Sequence, residues 1–205
     1  MTQKSLGRPI DPDARAARRQ QIMDGARNCF AQKGFHASSM SMISAEAGVS
    51  IANIYQYFET KDDLILALVG EELKSDMAVI DMIGQAPSLR EGLEQVVQYL
   101  AGEGCSEGGV QLRLEVLAES FRNPVVAEEV RKNEVIMIEA LAKTLSTAKK
   151  TGEIARHVVP EDAALLILAF ADGLSSRLPI KIRPLSGLAT PAFTFIAMSL
   201  GLEGF

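Results

Sequence analysis

The stretch EAGVSIANIYQYFETKDDL, residues 46–64, decides the fold because it places a glycine turn between two short helical segments. Gly48 permits a sharp bend, and Val49 is expected to fill the space between the two segments. Ser50 is a good N-cap for the second segment. Thr60 and Asp63 have the spacing of a capping box, with Asp in place of the usual Glu. The stretch therefore predicts a helix-turn-helix unit followed at once by a longer helix.

The second of these helices is predicted to present polar and aromatic side chains to a partner. Ile54 and Phe58 lie four residues apart and are expected to face inward. The side chains expected to project outward are Asn53, Gln56 and Tyr57. Carboxamides can bond bidentately to an adenine edge, and tyrosine hydroxyls bond phosphate oxygens. The pattern thus favours contact with DNA.

Helical spacing continues along nearly the whole chain, and strand signals are absent. Apolar residues recur every three or four positions from residue 13 to 33, and Gly34 is expected to close that helix in the left-handed conformation. A short helix follows Ser39, a long one covers residues 61–83, and five more helical segments follow, with the loop GEGCSEGG at residues 102–109 between two of them. We predict an all-α fold of about nine helices. Residues 1–61 form a basic arm and a helix-turn-helix domain (about 38–57), and residues 62–205 form a larger helical domain.

Charge is distributed unevenly over the 205 residues. The chain carries a net charge of −5, yet residues 1–61 hold eight Lys or Arg against five acids. A basic head suits an anionic polymer, although a basic cluster can also be a solvated helix face. No apolar run reaches the roughly 20 residues that cross a bilayer, and the N-terminus lacks an apolar signal-peptide core, so we expect a cytoplasmic protein.

Residues 34–68, GFHASSMSMISAEAGVSIANIYQYFETKDDLILAL, resemble the DNA-binding signature of the TetR family of bacterial transcriptional regulators. The resemblance is close over residues 15–70 and elsewhere covers only the layout of helices. It implies that the serines near the start of the supporting helix lie close to phosphate and that Lys61 clamps the DNA backbone. The residues expected to bind DNA are Lys4, Arg8, Arg15, Arg18, Ser39, Ser41, Ser50, Ile51, Ala52, Asn53, Tyr55, Gln56, Tyr57 and Lys61.

Four positions depart from the common family pattern: Met42 replaces an acid, Ser44 an alanine, Ile51 a lysine and Ala52 a glycine. The missing lysine removes a phosphate contact. The N-terminal arm, with Lys4, Arg8, Arg15 and Arg18, is expected to supply that contact through phosphates or an adjacent minor groove.

Two segments of the larger domain, residues 163–178 and 192–202, are apolar around most of their circumference. Such helices need cover on more than one side, either within the chain or against another subunit. In the family that this chain resembles, the last two long helices form a two-fold four-helix dimer interface. The expected interface residues are Leu166, Phe170, Leu174, Phe193, Ile196 and Leu200.

The resemblance also implies a small-molecule effector bound in the larger domain, and the residues suggest a largely apolar one. The expected pocket residues are Met77, Met82, Leu114, Leu117, Phe121, Met137 and Phe170, each of which could equally belong to an ordinary core. The helix that begins at Lys61 runs from the DNA-binding head into this domain, so a bound effector could tilt it and lower the affinity for the operator.

No constellation of an enzyme is present, and no cofactor or metal is expected. The glycine-rich run GEGCSEGG lacks the Lys and Ser/Thr of a phosphate loop and is interpreted as a connection, with Cys105 as a possible redox thiol. His36 and His157 are isolated, and Glu115, Glu119 and Arg122 share a face that is more typical of solvent exposure than of ligand binding.

The sequence thus predicts a homodimeric repressor that leaves a palindromic operator when a small molecule binds. Two alternatives stay open. A helical small-molecule carrier or interaction protein would not bind DNA specifically, and a nucleoid-type coating protein would bind all duplexes equally.

Overall fold

The computed structural model describes residues 11–102, 104, 106–180 and 184–202, and in these ranges it contains nine α-helices and no strand. The fold class is therefore confirmed. The helices are α1 (Pro12–Lys33), α2 (Met40–Ala47), α3 (Ile51–Tyr55), α4 (Lys61–Gln85), α5 (Leu89–Ala101), α6 (Glu107–Ser120), α7 (Pro124–Thr151), α8 (Pro160–Ser175) and α9 (Ala189–Leu200). Two short 3₁₀ helices, Leu178–Ile180 and Leu185–Leu188, lie between α8 and α9. The predictions for Lys4, Arg8 and Cys105 concern residues outside the described ranges.

The chain divides into two compact units, with the boundary between Ala67 and Leu68 inside α4. The sequence had suggested a boundary at the start of that helix, after residue 61. Because α4 continues without a break from Lys61 to Gln85, it belongs to both units.

The first unit packs α1, α2 and α3 around fully buried apolar side chains, among them Ile22, Phe30 and Ile54. Helices α1 and α2 approach each other closely at Gly25, where an added Cβ would lie 2.7 Å from the Cβ of Ala47. Any larger residue at position 25 would push the two helices apart. Helix α3 in turn packs against α2.

Side-chain caps fix the short helices of the first unit, as the sequence predicts. Ser39 Oγ accepts a hydrogen bond from the backbone N–H of Met42, and Thr60 and Asp63 form the reciprocal bonds of a capping box. Gly48 ends α2 with a positive φ of 64° in the left-handed region. Gly34 ends α1 with a positive φ of 81°, as predicted, but its ψ of 161° lies outside the left-handed helical region.

The second unit is built on α7, which packs against α6 and α8, while α5 packs against α9. Its core includes Leu93, Leu141, Leu145, Ala164 and Leu200, all of which are almost completely buried. None of the helices in the described ranges has the length and apolar character that a membrane crossing requires.

Helix α6 begins earlier than the sequence suggested. We expected a connection over residues 102–109, but Ser106 caps a helix that already includes Glu107, Gly108 and Gly109. The Ser106 Oγ accepts a hydrogen bond from the backbone N–H of Gly109 at 3.1 Å. A local serine cap thus outweighs the low helix propensity of two glycines.

Candidate nucleic-acid interface and ligand cavity

The turn between α2 and α3 is held by hydrogen bonds from its own serines. Ser44 Oγ donates to the backbone carbonyl of Val49, and Ser50 Oγ accepts from the backbone N–H of Asn53 at 3.2 Å. Ser44 is one of the four departures from the common family pattern, and this bond gives it a structural role. The orientation of α3 is therefore set locally, by side chains on both sides of the Gly48 bend.

Helix α3 buries one residue and exposes most of the others. Ile54 is completely buried and Phe58 nearly so, while Ile51 is 42% and Tyr55 51% exposed. Ala52 and Gln56 are also exposed, as are the serines at the predicted phosphate-facing positions, Ser39, Ser41 and Ser50. The outward side of α3 and its C-cap therefore exposes the amide of Gln56, the phenol of Tyr55 and the apolar side chain of Ile51.

The carboxamides of Asn53 on α3 and of Gln56, the C-cap residue just after it, are in contact with each other. Asn53 Nδ2 donates a hydrogen bond of 3.4 Å to Gln56 Oε1. Asn53 Oδ1 is buried and has no hydrogen-bond partner among the described residues. The two amides, which the sequence treats as separate readers of DNA, form one unit in the structure.

The arginines of α1 reach the aromatic residues that follow α3. The guanidinium of Arg15 lies 5.3 Å from the ring centroid of Tyr57, and that of Arg19 lies 5.1 Å from the ring of Phe58. Arg18 instead donates to Gln21 Oε1 at 2.8 Å. The Arg15 contact places a positive charge against the ring of a tyrosine, and a guanidinium and a phenol hydroxyl are both groups that bind phosphate.

Lys61 has a different environment from the one expected. Its Nζ donates to the backbone carbonyls of Phe35, at 2.6 Å, and Ser38, at 3.0 Å. The same ammonium lies 4.2 Å from the Phe35 ring centroid. Two of the three donors of the ammonium bind carbonyls of the α1–α2 connection, so Lys61 is a link within the first unit. Its contact with phosphate, which the family resemblance implied, stays a prediction.

The structure corrects half of the predicted dimer surface. Phe193, Ile196 and Leu200 lie in the core of the single chain, with exposures of 6%, 6% and 1%. Phe170 and Leu174 are partly buried, and Leu166 is 67% exposed. Helix α9 turns Phe193, Ile196 and Leu200 inward because they recur every three or four residues on one side.

The opposite sides of α8 and α9 carry exposed apolar residues that the sequence reading missed. Leu165 is 50%, Phe195 60% and Met198 68% exposed, and the Phe195 ring stacks on Phe170 with centroids 4.9 Å apart. The helical periodicity of α9 indicates two apolar sides, because Phe195 and Met198 do not share the stripe that contains Phe193, Ile196 and Leu200. Which stripe is the inner one, however, depends on the neighbouring helices.

An apolar cavity of about 120 Å³ lies between α4, α5, α7, α8 and α9. Helix α4 contributes Val79, Ile80 and Ile83, and the lining residues are apolar except for Ser175. Of the seven residues predicted for a pocket, Phe170 lines this cavity. A cavity with this lining accommodates uncharged apolar groups and would desolvate a charged one at high cost.

The remaining predicted pocket residues lie elsewhere. Met82, Leu114, Leu117 and Phe121 are exposed at the surface, Phe121 to 84%. Met77 borders an open cleft of about 770 Å³ that has both apolar and charged lining residues, among them Asp81, Glu139 and Lys143. Met137 borders a small cavity beside Arg113. The prediction was wrong for α6 because this helix is apolar on two sides, and the sequence does not say which side faces inward.

A charged cluster surrounds Arg113 on α6. Its guanidinium lies 2.8 Å from Asp76 on α4 and 3.4 Å from Asp172 on α8, with Glu72 at 3.8 Å. Burial raises the pKa of Asp172 and Asp76 raises it further, while Arg113 acts in the opposite direction. Burial likewise raises the pKa of Glu134, and Asp172 adds to the effect. The cluster therefore has more carboxylates than cations. Its ion pairs join Arg113 of α6 to residues of α4 and α8.

Both units match known protein families. Residues 22–68 match the bacterial regulatory proteins of the TetR family, and residues 89–186 match the C-terminal domain of BetI-type transcriptional repressors. The chain is 27% identical to the HTH-type transcriptional regulator UidR of Escherichia coli K12 over 163 residues, which cover 76% of this chain and 79% of UidR. It is 29% identical to the HTH-type transcriptional repressor Rv1474c of Mycobacterium tuberculosis H37Rv over 170 residues, which cover 82% and 86% of the two chains.

The fold is similar to that of Salmonella enterica GusR, with a TM-score of 0.78 and 27% identity over 94% of this chain and 98% of GusR. The chain thus belongs to the class of helix-turn-helix transcriptional regulators. Within that class it is a member of the TetR family, as its sequence resemblance implied.

Proposed function

We propose that this protein is a cytoplasmic homodimeric repressor that binds a palindromic operator and releases it when a small, uncharged, largely apolar effector enters the cavity bordered by α4. The observation that carries the proposal is the pairing of two features on one chain. The first unit exposes the amide and phenol side chains of α3, and the second unit contains an apolar cavity lined in part by α4, the helix that begins directly after the helix-turn-helix.

In this proposal the exposed face of α3 enters the major groove. Gln56 and Tyr55 lie on that face, and Tyr57 with the adjacent Arg15 is suited to a phosphate. Ser39, Ser41, Ile51 and Ala52 would complete the surface that contacts DNA, with Arg18 and the arm residues Lys4 and Arg8 adding positive charge. Phosphate contacts position the protein, and base contacts give specificity.

A dimer explains the exposed apolar residues of α8 and α9. Four large apolar side chains are exposed on these helices: Leu165, Leu166, Phe195 and Met198. Association of two copies through them would remove this apolar surface from water, which is favourable. In a two-fold symmetric dimer, the two α3 helices would enter successive major grooves, whose centres lie about 34–36 Å apart. The operator should then be palindromic, because it has to match the symmetry of the dimer.

Effector release follows from the position of α4 in the chain. A molecule in the cavity contacts Val79, Ile80 and Ile83, and these belong to the same helix that starts at Lys61. A coupling of about 1–3 kcal/mol between effector and operator would change operator affinity about 5- to 150-fold. The lining favours compact apolar molecules over charged ones.

An electrophoretic mobility-shift assay tests the proposal that the protein binds a specific DNA sequence. DNA upstream of the protein's own gene should be retarded at salt concentrations where an unrelated duplex of equal length is not. The double substitution Gln56→Ala and Tyr57→Ala should abolish the difference, whereas Gln95→Ala, at an exposed glutamine of α5, should not. Equal retardation of both duplexes by the unmodified protein would contradict the proposal.

The effector part is tested by calorimetry with benzene, an uncharged apolar probe small enough for a cavity of about 120 Å³. We expect saturable binding that Ala192→Leu, in the cavity lining, weakens and Ala78→Leu, on the exposed side of α4, does not. Occupancy of the cavity should also lower retardation of the operator. Bound probe that leaves operator affinity unchanged would show that the cavity is not the regulatory site.

A further inference from the structure

Asn53 of α3 and Gln56, the C-cap residue just after it, have carboxamides that touch each other, and the oxygen of the Asn53 amide is buried. Asn53 Nδ2 donates to Gln56 Oε1 at 3.4 Å, and the residues are three positions apart, the spacing at which helical side chains meet. We infer that Asn53 is a positioning residue: it orients the amide of Gln56 toward one base pair and does not itself contact a base. The inference rests on the proposed function as a sequence-specific DNA-binding protein.

The atoms of Asn53 are unsuited to reading a base directly. Its Oδ1 is buried without a hydrogen-bond partner among the described residues, and its Nδ2 is directed to Gln56. Direct recognition of adenine by a carboxamide needs its oxygen and its nitrogen to face the base together. Asn53 cannot offer both, whereas the side chain of Gln56 is exposed.

Gln56 keeps the groups that recognition needs. A carboxamide oxygen has two lone pairs, so Oε1 retains one after it accepts from Asn53, and Nε2 retains both hydrogens. A free glutamine amide rotates and can present its oxygen and nitrogen in either order. The bond from Asn53 selects one order, which prepares Gln56 for a bidentate contact with the N6 and N7 groups of adenine. Loss of Asn53 should therefore relax the base preference while the contacting residue is still present.

Removal of the Asn53 side chain should weaken base preference without lowering the stability of the protein. A buried acceptor without a partner is destabilising, and asparagine is a poorer helix former than alanine. The cap from Ser50 Oγ binds the backbone N–H of Asn53, and this bond survives substitution of the side chain. Asn53→Ala should thus leave the melting temperature unchanged or raise it. A purely structural role for Asn53 would lower it instead.

The test compares the full-length protein with Asn53→Ala, Gln56→Ala and the double variant. Preferred sites are first selected from random duplex DNA with the unmodified protein. Affinities are then measured, at one salt concentration, for the selected site and for versions in which each base pair is replaced. We expect Gln56→Ala to reduce discrimination at one A·T pair by about 5- to 150-fold, the range for one bidentate contact. Asn53→Ala should reduce discrimination at that same pair, and the double variant should show no further reduction. Gln95→Ala, at an exposed glutamine of α5 in the second unit, is the control and should leave that pair unaffected.

Each other outcome is decisive. If Asn53→Ala changes the preference at a different base pair, or if the two effects multiply, Asn53 makes its own contact and the inference is wrong while the proposed function stands. If Asn53→Ala lowers the melting temperature and leaves base preference intact, its role is structural and the inference is again wrong. If the unmodified protein selects no sequence from random DNA, the proposed function fails and the inference fails with it.

Discussion

Helices α3 and α9 both expose large side chains, but for different physical reasons. Helix α3 has five residues, buries Ile54, and is oriented by serine caps and the Gly48 turn, so its outer side is free to carry amides and phenols. Helix α9 buries Phe193 and Ile196 in its own chain and still exposes Phe195 and Met198 to 60% and 68%. A mixed polar and aromatic face suits DNA, whereas an apolar face suits another protein surface.

The comparison also shows two ways of holding a helix in place. Local caps and one turn orient α3, and their energies are about 1 kcal/mol each. Helix α9 depends on contacts with distant parts of the chain, and each buried side chain there contributes more. Substitutions should therefore have small effects in the first case and large effects in the second.

The largest effect is expected in the core of the second unit. Leu145→Ala should lower the free energy of unfolding by about 2–5 kcal/mol, because Leu145 is completely buried and its loss leaves a cavity. Leu117→Ala, at a residue that is 50% exposed, should change it by less than about 0.5 kcal/mol. Urea unfolding measures both, and equal losses would mean that Leu117 is a core residue after all.

The next effect concerns the exposed face of α9. Met198→Glu should weaken self-association at least about 30-fold, because a charge in an apolar interface loses its hydration. Thr190→Glu, at an exposed position of the same helix, is the matched control. Sedimentation over a range of concentrations measures the dissociation constant. An unchanged dimer in Met198→Glu would remove this face of α9 from the interface.

A smaller effect is expected where a local cap orients the recognition helix. Ser50→Ala should destabilise α3 by about 1 kcal/mol, because the backbone N–H of Asn53 loses its side-chain acceptor and keeps only the bond to the Ser50 carbonyl oxygen. Faster hydrogen exchange at that amide would report the loss. Ser41→Ala, at an exposed position of α2, should leave the exchange rate as it is. If Ser50→Ala exchanges no faster, tertiary packing rather than the cap holds α3.

The smallest effect belongs to the charged cluster and depends on pH. The folded-state pKa of Glu134 is raised, chiefly by burial, so the folded protein binds its proton more tightly than the unfolded chain does. Stability is therefore lost as pH rises through the interval between the two pKa values. Glu134→Gln should raise stability near pH 7 by less than about 1 kcal/mol, allowing for solvent screening, and the gain should vanish in acid. Glu139→Gln, at an exposed site on α7, is the control for thermal unfolding at both pH values.

The first unit could be read from sequence because its structure follows from short-range chemistry. Gly48, Ser39, Ser50 and the Thr60–Asp63 box are all local signals, and the structure contains each of them. Lys61 is the exception. Its Nζ binds carbonyls 23 and 26 residues earlier in the chain, and no local pattern indicates such contacts.

The amino-acid sequence alone determined the helical class, the position of the turn, the caps, the membership of the family and the residues available for the outer face of α3. Tertiary structure decided which side of α6, α8 and α9 faces inward, and therefore where the cavity lies and which apolar residues stay exposed. The reason is that helical periodicity places residues on a common stripe, but when a helix is apolar on two sides only its neighbours determine which stripe is buried.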